Sequence, residues 1–182
     1  TRVGIGLMFT NDKIGIHDDY GIYATYAYHL PITRNTKLSM GLQGGLDVLR
    51  SDWSQLTLDD INDPVLTGSE SNLFPNFGTG LYYFTESYYF GFSVPYILTS
   101  RRTKNNDLFR DVRHSRNYYL TGGLLLDLGY KVKIKPSGLL RIEDNMPLGF
   151  DLNMNFYYDE IIDIGLSFRS GDSFIGILGL QV

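Results

Sequence analysis

Residues 148–168 read LGFDLNMNFYYDEIIDIGLSF, and no other feature of the chain limits its fold so tightly. Leu148, Phe150, Leu152, Met154 and Phe156 alternate with Gly149, Asp151, Asn153 and Asn155. Beyond Asp159-Glu160 the alternation resumes, with Ile162, Ile164, Leu166 and Phe168 set against Asp163, Gly165 and Ser167. Successive side chains of a strand point to opposite faces, so this stretch is a strand, a tight turn and a second strand, with one apolar and one polar face. Two environments satisfy such a hairpin. Either the apolar face meets a protein core and the polar face meets water, or the apolar face meets lipid and the polar face lines a barrel.

Strand length separates the two. Alternation and turn signals predict about ten strands. They are Val3–Thr10, Tyr20–Leu30, Lys37–Asp47, Asn76–Phe84, Tyr88–Val94, Asn117–Leu128, Val132–Pro136, Leu148–Tyr157, Ile161–Arg169 and Phe174–Val182. Several approach the ~9–11 residues that a tilted membrane-spanning strand needs, against about 5–6 for a typical soluble strand. The connections sort by parity as well. The even ones are short: PITRNT (31–36), Thr85-Glu86-Ser87, Gly129-Tyr130-Lys131 and Asp159-Glu160. The odd ones include the longest, Leu49–Pro75, Pro95–Arg116 and Ser137–Met146, and DKIGIHDD (12–19), while Ser170-Gly171-Asp172 is short. In an up-and-down meander odd and even connections lie at opposite ends, and outer-membrane barrels have short periplasmic turns and longer outer loops. Tyrosines crowd the even turns, in YYFTESYYF (82–90), at Tyr130 and at Tyr157-Tyr158, as suits side chains at headgroup level.

Bulk properties exclude several classes. A net charge of −4 is unlike the basic balance of a general nucleic-acid binder. The chain has no cysteine, hence no disulfide framework, thiolate metal site or cysteine nucleophile. No apolar run reaches the ~18 residues of a transmembrane helix, whereas a barrel hides its apolar residues at every second position. The chain opens directly in a strand pattern at Thr1-Arg2-Val3-Gly4 and stops within one at GILGLQV, which reads as a mature product or a fragment.

Parity assigns the faces. Ile22, Ala24, Tyr26, Tyr28, Leu38, Met40, Leu42, Leu46, Leu120, Leu124, Leu126 and Leu128 are expected to face lipid with the apolar residues of 148–168. Thr25, Ser39, Gln43, Asp47, Thr121, Asp127, Asp151, Asn153, Asn155 and Asp163 are expected inside, with glycines such as Gly21, Gly41, Gly45, Gly78 and Gly91. With Gly129-Tyr130-Lys131 as a turn, Asp127 faces Lys133 across the ladder, and an internal salt link is expected because inward charges need partners.

No catalytic constellation stands out. His17, His29 and His114 lack metal spacing, and the nearest nucleophile–base pair by parity is Ser39 with His29, to which nothing in the sequence adds an orienting group. GIG (4–6) is followed by no helix and so reads as strand glycines rather than a phosphate loop. Asp59-Asp60 with Asp63 lacks the calcium-loop pattern and reads as a solvated acidic loop. Two loops, near 48–75 and 95–116, carry the remaining signal. The first is acidic (Asp52, Asp59, Asp60, Asp63, Glu70) and has a heavy apolar load in Trp53, Leu56, Leu58, Val65, Leu66, Leu73 and Phe74. The second is basic, with Arg101, Arg102, Lys104, Arg110, Arg113 and Arg116. Such loops either pack on each other over the barrel mouth or present a docking surface to lipid phosphates or a protein partner; Trp53, Phe74, Arg101, Arg102, Arg110 and Arg113 are the candidate partner-binding residues.

The segments VGIGLMFTNDKIG (3–15), YATYAYHLP (23–31), KLSMGLQGGL (37–46), PNFGTGLYYF (75–84), YYFGFSVPYIL (88–98), HSRNYYLTGG (114–123), KIKPSGLLR (133–141) and FDLNMNFYYDEIIDIGLSFRSGDSF (150–174) run in order along nearly the whole chain. Together they resemble the PorP/SprF family of Bacteroidetes outer-membrane proteins, associated with type IX secretion and gliding motility. The family's chains are longer at both ends, so the resemblance implies a partial barrel here. It implies a non-enzymatic outer-membrane protein without cofactor. Its expected partners are other secretion-system subunits, outer-membrane lipid and a large surface protein such as an adhesin, held by its C-terminal domain. The expectation is therefore one domain over 1–182, an all-β antiparallel up-and-down transmembrane barrel in the bacterial outer membrane. It has no metal or nucleic-acid site, and a small-solute, porin-like barrel is the alternative function.

Overall fold

The structure is a computed structural model that describes residues 2–52, 69–98, 116–143, 146–159 and 161–180. Among the described residues, eleven strands form a single antiparallel sheet. They are β1 (Val3–Ile14), β2 (His17–Pro31), β3 (Lys37–Asp52), β4 (Ser69–Phe84), β5 (Tyr88–Val94), β6 (Asn117–Leu124), β7 (Leu126–Asp127), β8 (Val132–Glu143), β9 (Gly149–Tyr158), β10 (Ile162–Arg169) and β11 (Phe174–Leu180). Each strand pairs with the next in sequence, except that β7 continues the line of β6 against β8. This up-and-down order is that of an outer-membrane barrel. β1 and β11 end the sheet and do not pair with each other among the described residues.

The register settles the two faces. One row runs through Ile5, Tyr26, Leu42 and Thr79, and another through Leu81, Phe92, Leu120 and Leu140. The adjacent row, Thr25, Gln43 and Gly78, belongs to the opposite face. Every residue expected outward in β2, β3, β6 and β9 shares a face with these apolar rows. The apolar face has nothing packed on it: Leu166 is 61% exposed and Leu178 74% exposed. Among the described hydrophobic residues only Tyr23 and Val94 are buried. A water-soluble chain of this length would bury a substantial core. Here the apolar side chains form a continuous outer band, which is stable only against hydrocarbon. The described residues include no helix long and apolar enough to cross a membrane.

Several strands run further than alternation of apolar residues suggested. β3 and β4 are each 16 residues long. At ~3.3 Å per residue that is roughly 50 Å, well beyond the ~30 Å hydrocarbon layer even with tilt. Their ends, Arg50-Ser51-Asp52 and Ser69–Asn72, are polar; they leave the membrane while keeping the ladder, so no apolar signal marks them. Phe74, expected in a loop, lies within β4 opposite Asp47. The connection expected at 12–19 shrinks to Gly15-Ile16, with Gly15 in the left-handed conformation (φ 61°).

β8 also corrects the expectation of a strand ending at Pro136 and a loop from Ser137. It continues to Glu143 and pairs through Pro136 with Met154 of β9. Its other edge carries the gap: β6 pairs up to Gly123↔Ser137 and β7 resumes at Leu126↔Ile134, leaving Lys135-Pro136 unpaired on that side. Proline has no N–H to give to a ladder, so the interruption falls where it stands.

Candidate functional site

The polar face is an organised wall. Its tightest cluster joins β8, β9 and β10. Asp151, 6% exposed, takes Arg141 Nη2 at 3.1 Å on Oδ1, and receives Arg169 Nε at 3.2 Å and Nη2 at 3.3 Å. Arg169 stands directly opposite Asp151 in the β9–β10 register, while Arg141 reaches it from two residues along the β8–β9 ladder, where it pairs with Gly149. Two guanidinium groups fix one carboxylate, so three strands are cross-linked on the inner face. Sequence reasoning placed Asp151 inside but missed both partners. The turn length held that signal: β9 ends at Tyr158 and β10 begins at Ile162, not at Ile161, and this register carries Arg169 to Asp151. Asp159 takes up the turn with φ 53°.

A second cluster sits on β2 and β3. Tyr23 donates its hydroxyl to Asp47, and Tyr96 Oη lies 3.4 Å from that hydroxyl. Tyr23 lies across two glycines; a Cβ at Gly45 would come 2.2 Å from Tyr23 Cδ1 and 2.5 Å from the Ile22 carbonyl oxygen. Because one obstacle is backbone, side-chain rotation alone does not relieve Gly45→Ala. Such overpacking costs about 1–3 kcal/mol, read as a lower urea midpoint for folding into lipid vesicles. An unchanged midpoint would mean that both the Tyr23 ring and the Ile22 backbone shift at no cost.

The remaining expected positions fall out as follows. Asp127 and Lys133 are ladder partners on the inner face, with Gly129 of the intervening turn at φ 108°. A neighbouring ion pair joins two turns, Lys131 Nζ to Asp159 Oδ2 at 2.9 Å. Ser39 Oγ and His29 Nδ1 are hydrogen-bonded, so the structure does orient this pair. It does so through Nδ1, the nitrogen that an orienting acid would hold in a serine triad, and no carboxylate meets His29 among the described residues. Trp53, Arg101, Arg102, Arg110, Arg113, His114 and the acidic set Asp59, Asp60 and Asp63 lie outside the described residues. No group of three or more His, Cys, Asp or Glu that could hold a metal occurs among the described residues.

A wall of ion pairs, amides and small residues behind a lipid-facing apolar band braces a membrane barrel. No curated protein and no solved structure matches the chain. The family described as type IX secretion system membrane protein PorP/SprF matches it over residues 1–182, and the chain belongs to that family, as an all-β component of the type IX secretion system in the outer membrane.

Proposed function

We propose that this protein is a non-enzymatic outer-membrane barrel of the type IX secretion machinery that helps secrete or anchor a large cell-surface protein by docking that protein's C-terminal region. The observation that carries the reading is the exposed apolar band with its braced polar wall. Such a sheet is rigid, and rigidity is what a display scaffold needs to hold loops in place. The two longest connections, after β3 and after β5, emerge at the same end of the meander. Trp53 would supply apolar contact area there, and Arg101, Arg102, Arg110 and Arg113 would set orientation. Phe74, five residues into β4 from Ser69, would support the loop from inside. Asp127 and Lys133 are read as an internal link bracing the opposite end.

The test exchanges residues 53–68 and 99–115 for short turns. The expected outcome is a barrel that still inserts, shown by heat-modifiable mobility, with loss of surface retention of a reporter fused to the cargo's C-terminal region. Retention at the unaltered level would remove the loops from the docking role.

A further inference from the structure

The polar face at the short-connection end carries a feature that the display role does not use. Tyr82, Phe84 and Tyr89 form an inner aromatic platform, the Tyr82 ring 5.5 Å from Phe84 and 5.6 Å from Tyr89. An ammonium group stands over each flank: Lys37 Nζ is 5.9 Å from the Phe84 ring centre and Lys135 Nζ is 5.5 Å from that of Tyr89. Beside the platform opens a cavity of about 360 Å³, lined by Thr85, Tyr89, Leu125, Lys133, Lys135 and Tyr157. Glu86 is the single carboxylate among its lining residues.

The two lysines of the cavity are not equivalent. Lys133 has Asp127 across the ladder. Lys135 has neutral Asn155 on one side and the gap created by Pro136 on the other. Its only ring or ion contact among the described residues is the Tyr89 face. A cation held on an aromatic ring at a cavity wall keeps its N–H donors available to an anion. The aromatic and leucine walls beside it suit apolar side chains flanking that anion. Register places Lys133, Lys135, Tyr89 and Tyr157 on the inner face, away from lipid headgroups, so the ligand comes from the aqueous side. Short connections mark the periplasmic end of such barrels.

We propose that this pocket binds an extended, carboxylate-bearing peptide segment of a periplasmic partner. Lys135 takes its carboxylate, and Tyr157 and Leu125 take the apolar side chain beside it. The site lies at the opposite end from the long loops and does not depend on cargo docking there.

The test uses the full chain in lipid nanodiscs and two synthetic peptides, acetyl-Gly-Asp-Phe-Asp-Gly-amide and its counterpart with both Asp replaced by Asn, titrated by saturation-transfer NMR. The acidic peptide is expected to bind, and the amide version to bind about tenfold or more weakly. Lys135→Met should weaken the acidic peptide by a similar factor, Lys135→Arg should retain it, and raising the salt should weaken it. Absence of binding to the acidic peptide, equal binding of the two peptides, or unchanged binding by Lys135→Met would overturn the proposal. Should Lys135→Met not fold, Lys135→Gln makes the same comparison, because the basic residues of 101–116 would also favour the acidic peptide on the unaltered chain.

Discussion

Leu152→Arg is expected to cost this protein about 2–4 kcal/mol of folding free energy in a bilayer, the depth-dependent penalty for a guanidinium on the lipid face of a barrel near its midplane. Leu152 lies mid-strand in β9, between Gly138 of β8 and Phe168 of β10, and its side chain is 55% exposed on the apolar face. In a soluble sheet, a side chain so exposed would meet water and the same substitution would be nearly neutral. The control is Asn153→Ser, one residue along and on the opposite face, where a small polar replacement keeps the lumen polar. Equilibrium urea titration of both variants refolded into phosphatidylcholine vesicles measures the contrast. If Leu152→Arg were as stable as the parent, or if the parent were monodisperse in buffer without lipid or detergent, the membrane assignment of this face would be wrong.

The second large effect is expected at Asp151. Asp151→Asn keeps the shape but removes the charge between Arg141 and Arg169. Breaking a fully buried pair costs about 3–5 kcal/mol because the remaining partner is left uncompensated. Both arginines keep access to water, with side chains 38% and 42% exposed, so a value of about 2 kcal/mol is expected. The same titration gives the number, and a double-mutant cycle with Arg169→Met isolates the pairwise part. Coupling indistinguishable from zero would leave the cluster without energetic weight, and the β8–β9–β10 wall would need another brace.

How far the sequence reads depends on the kind of signal each residue carries. Alternation is local and strong, so the outward set, from Ile22 in β2 to Leu166 in β10, and the inward set, from Thr25 to Asp163, were legible residue by residue. The facing of Asp127 and Lys133 followed from parity and one turn. Where chemistry is neither apolar nor a recognised breaker, the signal fades. Arg50-Ser51-Asp52 and Ser69–Asn72 look like loop, yet they extend β3 and β4, because a ladder needs only backbone partners and these ends stand in water. Pro136 looks like a stop, yet β8 passes through it, since a strand can lose one donor on one edge and keep pairing on the other. The family resemblance carried the functional class, which alternation alone left divided between secretion and solute passage.

The sequence by itself determined which side of each strand is apolar, because a period of two is written into every strand independently of its neighbours. Only the tertiary structure decided which inner groups meet: Arg169 and Arg141 on Asp151, Tyr23 on Asp47, Lys135 on Tyr89. Those meetings depend on register, and register depends on turn lengths counted to one residue. A single-residue shift at 159–161 would carry Arg169 past Asp151 and reverse the face of every side chain in β10.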